Sequence, residues 1–176
     1  IARAGFRVWQ LLPIGPSAAG SNPFAAASAF AGDTRLVPDR TAIDVAAYRR
    51  FREANADWLE DWSLFAALKS AQDGNPWWRW PAPLRHRDCD ALAEARSSLA
   101  DAIEAERLAQ FRFDVAWQAL RRLANSLGLL LFGDVPLFVA RDSADVWTHR
   151  ELFEVDADGR LAAVVGAPPD AFNEGG

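Results

Sequence analysis

Leu129-Leu-Leu-Phe-Gly-Asp-Val-Pro-Leu-Phe-Val-Ala-Arg-Asp-Ser-Ala-Asp-Val-Trp147 is the stretch whose reading decides the fold. The apolar run Leu129–Phe132 follows Gly128, which ends a long helical pattern, and stops abruptly at Gly133-Asp134. Such a run reads as a parallel-type strand buried on both faces. Pro136 cannot extend a regular ladder, so a loop is expected there, carrying Asp142 and Asp145. A carboxylate at the carboxyl end of a strand, followed by a loop with further carboxylates, has the form of an active-site rim in α/β architecture.

Working outward, Gly5 to Pro13 reads as a second strand, with Phe6, Val8, Leu11 and Leu12 apolar and Pro13 ending it. Ile1–Gly5 looks like the end of a helix entering that strand, and with no methionine at position 1 the sequence reads as an interior beginning. Ile14–Ala31, rich in Gly, Pro, Ser and Ala, is long for a structureless connection, and loops of that length are commonly functional. Asp44–Gln72 is helical in pattern and stops at Asp73-Gly74-Asn75-Pro76. Asp88 is a natural N-cap for a second helical region reaching Leu127, long enough to contain a break. Asp156–Arg160, with its Asp-Gly step, lies between the apolar runs 153–155 and 161–165 and predicts a hairpin. The order strand, helical excursion, strand, hairpin, loop is an α/β arrangement. A complete (β/α)8 barrel takes about 250 residues, so 176 residues are expected to form only part of one.

Composition excludes several functions. A net charge of −5 offers no clustered positive surface for nucleic acid or an anionic membrane. No apolar run is long enough to span a bilayer, and the single cysteine, Cys89, rules out an intrachain disulfide and fits a reducing, cytoplasmic compartment. His86 and His149 lack metal-pair spacing, no phosphate-binding glycine loop occurs, and Ser143 has no nucleophile elbow. No metal or other cofactor is expected.

The eight tryptophans stand against one tyrosine. Trp58, Trp62 and Trp117 fall on helical patterns and read as core or helix-packing residues. The cluster Trp77-Trp78-Arg79-Trp80-Pro81 has no period and reads as packing for a rigid loop. Asp134 either orients a substrate hydroxyl, supports a catalytic partner at the strand end, or caps amides of its own turn. Asp142 and Asp145 read as caps of the short helix at 143–147. Asp170, stiffened by two preceding prolines, is either a ligand contact or a solvated turn residue. Glycosidic bond chemistry needs a pair of carboxyl groups flanking the bond, and no persuasive pair is present.

Five ordered motifs carry a resemblance: Trp9-Gln10-Leu11-Leu12-Pro13-Ile14-Gly15-Pro16, Ser28-Ala29-Phe30-Ala31-Gly32, Gly133–Ala140, Asp142–Trp147 and Gly166-Ala167-Pro168-Pro169-Asp170. Together they resemble the amylomaltases, or 4-α-glucanotransferases. Trp58-Leu59-Glu60-Asp61 and the stretch from Pro76-Trp77 to Pro83 are similar to that family's helical insertion. The resemblance implies part of a (β/α)8 (TIM) barrel with an inserted helical subdomain. Residues 1–40 would then hold an early barrel strand and substrate loop, 41–127 the insertion, and 128–176 a strand, hairpin and the start of an active-site loop.

It also implies transfer of α-1,4-glucan segments between maltodextrins by retaining double displacement, with no cofactor. Asp134 would take the family's substrate-side aspartate position, and Asp170 and Phe172 its mobile loop. The family's Ser-Pro-Tyr-Gln is here Asn22-Pro23-Phe24-Ala25, so Asn22 keeps a hydrogen-bonding group while Phe24 offers a ring without the hydroxyl. The stretch between Gly32 and Trp58 is short for the family. The resemblance places the nucleophilic aspartate, the acid/base glutamate and the stabilising aspartate beyond Gly176, so this chain alone is expected to be inactive. Two rival readings are a non-catalytic α-glucan-binding remnant and a structural module that needs a second chain.

Overall fold

The computed structural model describes residues 1–18, 22–37, 43–134, 138–156 and 158–161. A 3-10 turn, Ala2–Ala4, ends at Gly5 in the left-handed region (φ 86°) and leads to strand β1, Val8–Gln10. Then follow helices α1 (Val45–Ala54), α2 (Ala56–Ala71), α3 (Ala82–Arg85), α4 (Cys89–Ser98) and α5 (Ala100–Ser126), strand β2 (Leu130–Phe132) and helix α6 (Ala144–Thr148). β1 and β2 pair in parallel, with Val8 opposite Leu130 and Gln10 opposite Phe132. The helices between them form the crossover that a parallel pair requires.

Local chemistry sets the helix limits. Asp44 accepts from the N–H groups of Ala46 and Ala47, and Asp88 from those of Asp90 and Ala91, each satisfying amides left open at a helix start. The helical pattern over 44–72 is two helices because Asn55 interrupts it. Its Nδ2 donates to the Phe51 carbonyl at 2.7 Å while its Oδ1 accepts from Trp58 Nε1 at 3.1 Å. The second region breaks at Leu99, and Gly128 (φ 68°) provides the stop before β2.

The core is aromatic. Phe65 contacts Trp80 and Trp147 at centroid distances of 5.5 and 5.9 Å, and Trp80 meets Trp147 edge to face at 5.4 Å. Buried indoles need acceptors: Trp77 donates to the Arg141 carbonyl, Trp80 to that of Asn75 and Trp147 to that of Leu84. The Trp77–Trp80 cluster is therefore scaffold, as its lack of period implies.

One expectation needs correction. β2 is not buried on both faces: Leu129 is buried and Leu131 half-buried, but Leu130 and Phe132 are 67% and 60% exposed. The physical reason is that β1 is its one strand neighbour among the described residues, so one sheet face, with Val8, Leu130 and Phe132, has no cover there. The described part of the expected hairpin is present. It consists of a Val155–Leu161 bridge closed by Asp156 N–H to Arg160 O and Gly159 at φ 76°, and residues 162–165 lie outside the described residues.

Helices α1, α2 and α5 are tied by an ionic cluster. Tyr48 donates to Glu104 at 2.7 Å, Arg107 bridges Glu104 and Glu60, and Arg52 reaches both carboxylates. Burial pushes the Glu104 carboxyl up, but the hydrogen bonds from Tyr48 and Arg107 outweigh it and hold it below the usual range. The stabilisation from this depressed group is present above the unfolded glutamate value, about pH 4.3, and is lost as pH falls through the lower folded value. Melting temperatures followed from neutral pH downward should fall through that acid window. Glu104→Gln should lower the neutral melting point and flatten the acid decline, and an unchanged decline would contradict the cluster's role.

Candidate functional site

Because β1 and β2 are parallel and in register, the chain leaves both strands on one edge of the sheet. The segments after Gln10 and after Phe132 therefore face each other, and Leu11 N–H still donates to the Phe132 carbonyl at 2.9 Å. Asp134, two residues past β2, is half-buried on this edge and has no hydrogen-bond or ion-pair partner among the described residues.

The long loop after β1 is held by main-chain bonds despite having almost no regular structure. Ser17 bridges Ala26, which in turn bridges Val139, and the N–H groups of Ala140 and Ala144 donate to Ala26 and Ala27. Ser28 Oγ accepts from the N–H groups of Phe30 and Ala31. Asn22 Oδ1 accepts from Phe24 N–H at 3.0 Å, a turn that leaves the Phe24 ring exposed. Asn22 and Phe24 thus lie on the loop whose residues Ala26 and Ala27 pair with the segment after β2, and neither lines a cleft with Asp134. Asp170 and Phe172 lie outside the described residues.

Asp142 and Asp145 do not cap α6. Ser143 does so, accepting from Val146 N–H, because its short hydroxyl reaches the first turn from the N-cap position. Asp142 instead accepts from Lys69 and from Trp77 N–H, joining α2 to the tryptophan turn. Asp145 accepts from Ala29 N–H at 3.1 Å and so fastens the long loop to α6. Burial pushes the Asp145 carboxyl above its ordinary value, against the pull of that N–H.

A cleft of about 360 Å³ opens beside Asp134, between the loop segment 28–32 and helices α1, α2 and α5. Its walls include Phe51, Trp58, Phe113, Asp114 and Trp117. Trp62 is in the core, as expected, with its Nε1 on Glu106. Trp58 packs against the core cluster, as read from sequence, while also facing the cleft, and Trp117, read the same way, is half-buried along it. Helical periodicity marks them as inward-facing but cannot tell a filled interior from a lined cavity.

Gln110 is the residue that sequence reasoning missed most completely. Buried in the middle of α5, its amide accepts from Gly32 N–H at 2.9 Å and donates to the Gly32 carbonyl at 3.0 Å. The Phe113 ring lies against the same glycine, so a Cβ there would stand 2.1 Å from Phe113 Cδ1.

This geometry has a counterpart of known structure. An amylomaltase from Streptococcus agalactiae, solved in complex with acarbose, superposes with a TM-score of 0.82 at 25% identity, covering 96% of this chain and 43% of that one. The architecture is thus that of an amylomaltase-like α/β protein.

The 4-alpha-glucanotransferase family model matches residues 38–176, and the chain belongs to that family. It is 38% identical over 220 residues to the 4-alpha-glucanotransferase of Thermus thermophilus, covering all of this chain and 44% of that enzyme. A chloroplastic/amyloplastic 4-alpha-glucanotransferase of Oryza sativa subsp. japonica is 43% identical over 119 residues, 68% of this chain and 20% of the relative. The chain spans less than half the length of these relatives. The Thermus alignment runs to 220 positions against 176 residues here, so this chain lacks residues that the relative carries within the matched span.

The close fit of Gly32 to α5 gives a direct test. Gly32→Ala should lower unfolding free energy in urea by about 1–3 kcal/mol through overpacking. Removing the ring as well, in the Gly32→Ala, Phe113→Ala double variant, should recover part of that loss through coupling of contacting residues. Strictly additive effects would show that the ring and the glycine do not meet.

Proposed function

We propose that these residues form the substrate-holding wall of a 4-α-glucanotransferase acting on maltodextrins or other α-1,4-glucans. The observation that carries the reading is Asp134: a half-buried carboxylate beyond a parallel strand, without a partner among the described residues, on the lip of an aromatic cleft, in a chain of this family. In open or barrel-like α/β sheets that edge is where ligands bind. The acarbose bound to the solved relative supports a glucan ligand for this chain too.

In this reading residues 1–40 give the early strand and substrate loop of a partial (β/α)8 barrel. Residues 41–127 are the helical insertion, and 128–176 hold the next strand, the hairpin and the start of a loop that closes on bound glucan. Asp134 accepts a hydroxyl hydrogen of one glucose unit, Asn22 hydrogen-bonds a neighbouring one, and Phe24 packs on a sugar face. Asp170 and Phe172 close over the chain. In retaining transfer a carboxylate attacks the anomeric carbon, the glycosidic oxygen leaves with a proton from a second carboxyl group, and an acceptor 4-hydroxyl displaces the enzyme. The attacking and proton-donating groups are assigned outside these residues, which hold the sugar for them. The exposed thiol of Cys89 supports a reducing, cytoplasmic setting.

The test is maltotriose disproportionation by the protein that carries this chain. Asp134→Asn should lower kcat/KM by about 10- to 100-fold, the loss of a hydrogen bond to a charged group; unchanged kinetics would remove Asp134 from the site. Binding of maltotriose without any transfer would favour the non-catalytic remnant instead. Phe24→Tyr supplies a hydroxyl at the sugar face and should shift KM for the donor by about threefold or more. Identical Michaelis constants would take Phe24 out of the contact.

A further inference from the structure

The fastenings of the loop segment 26–32 differ in chemistry. At Gly32 the grip is a side-chain amide on the main chain, and at Ala26 and Ala27 it is main chain on main chain, so none of these depends on an ionised group. At Ala29 it does. Asp145 Oδ2, on the first turn of α6, accepts the Ala29 N–H at 3.1 Å. A hydrogen bond to an ionised acceptor is about twice as strong as one between neutral groups, so this fastening weakens when Asp145 takes up a proton.

The surroundings give that proton access. Asp145 lines a cavity of about 40 Å³ between α2 and α6, room enough for a water molecule. From α2 the carboxylates of Asp57 and Asp61 face the same cavity, Asp61 being paired with Arg87 at 2.9 Å. From the end of α6 comes His149, whose Nδ1 lies 3.5 Å from Glu151. Phe138, Val139 and Phe153, beside Asp145 on its outer side, bring no charge, and segment 26–32 carries no acidic or basic side chain. Burial, the larger influence, pushes the Asp145 carboxyl up, against the pull of main-chain N–H groups and of a charged His149. The bond is made by the ionised form. It is therefore at full strength above the raised value and weakens as pH falls through it, which happens above the ordinary aspartate value of about 3.9.

Residues 28–32 form one wall of the cleft that Asp134 lines, and Phe30, next to Ala29, stacks on Trp58 at a centroid distance of 6.4 Å. We propose that Asp145 is a positioning residue that acts as a pH-operated latch: ionised, it holds this wall against α6, and protonated, it frees the Ala29 flank while Gln110 keeps Gly32 in place. Such a latch sets the shape of the cleft whatever ligand the cleft takes.

The experiment follows hydrogen exchange at the Ala29 and Gly32 amides in the protein that carries this chain, each corrected for its intrinsic rate, from about pH 7 to about pH 4. In the wild type the protection of Ala29 relative to Gly32 should fall about fivefold or more; a constant ratio overturns the latch. In Asp145→Asn, whose side-chain carbonyl can still accept the N–H, the ratio should start low and stay flat. A fall equal to that of the wild type overturns the assignment to Asp145. His149→Gln should keep the fall and move its midpoint to higher pH, because a charge that favours the Asp145 carboxylate is gone. Loss of the fall in that variant would give the switch to His149 and overturn the latch. If Asp145→Asn does not fold, the other two curves still decide: a fall centred above about pH 3.9 in both supports the latch, and a flat ratio in either overturns it.

Discussion

The amide of Gln110 gripping the main chain of Gly32 is the constraint on which the rest of the site depends. A buried N–H and C=O on a loop must find partners or cost about 1–3 kcal/mol each, and no neighbouring strand is available to Gly32. Gln110 satisfies both from the middle of α5. Its own position is set by Glu106, which accepts from Gln110 and, one turn away, from Trp62 of α2. The long loop after β1 is thus bolted to the two central helices rather than to the sheet. A glycine is required because the Phe113 ring occupies the space of a side chain.

The opposite flank of the same loop is fixed by other means. Asp145 takes the N–H of Ala29, and Ala26 and Ala27 take bonds from the segment after β2. Asp142 carries the fastening onward to Lys69 of α2 and to the Trp77 turn. The aromatic core under these contacts, centred on Phe65, Trp80 and Trp147, gives them a rigid base. The segment 26–32 is thereby fixed on both flanks, beside the cleft that Asp134 lines. For the proposed sugar-holding role such preorganisation matters, since loosely placed contacts contribute little to orienting a reacting bond.

Much of this was legible in the residues. The cap at Asp88, stops at Gly74 and Gly128, the parallel strands and the structural tryptophan turn all follow from local chemistry, and the ordered motifs marked the family. What was not legible depended on distant partners. Asp142 and Asp145 lie beside a helix start, so local rules made them caps; their partners are 73, 65 and 116 residues away in sequence. Gln110 sits in an unremarkable helical pattern, and only the approach of Gly32 from 78 residues away gives it a role. Trp117 obeyed its periodicity yet lines a cleft, because periodicity reports the inward face and not whether that face is filled. The exposure of Leu130 and Phe132 has the same origin, since an apolar run specifies a strand that wants cover without supplying it.

The claim that the helical layer holds the loop after β1 through Gly32 is tested most directly by hydrogen exchange at the Gly32 amide. The account predicts protection comparable to the amides of α5 itself, because opening that bond requires the loop to leave Gln110 and Phe113 together. Exchange as fast as at exposed loop amides would contradict it, showing that Gln110 and Phe113 do not hold the loop.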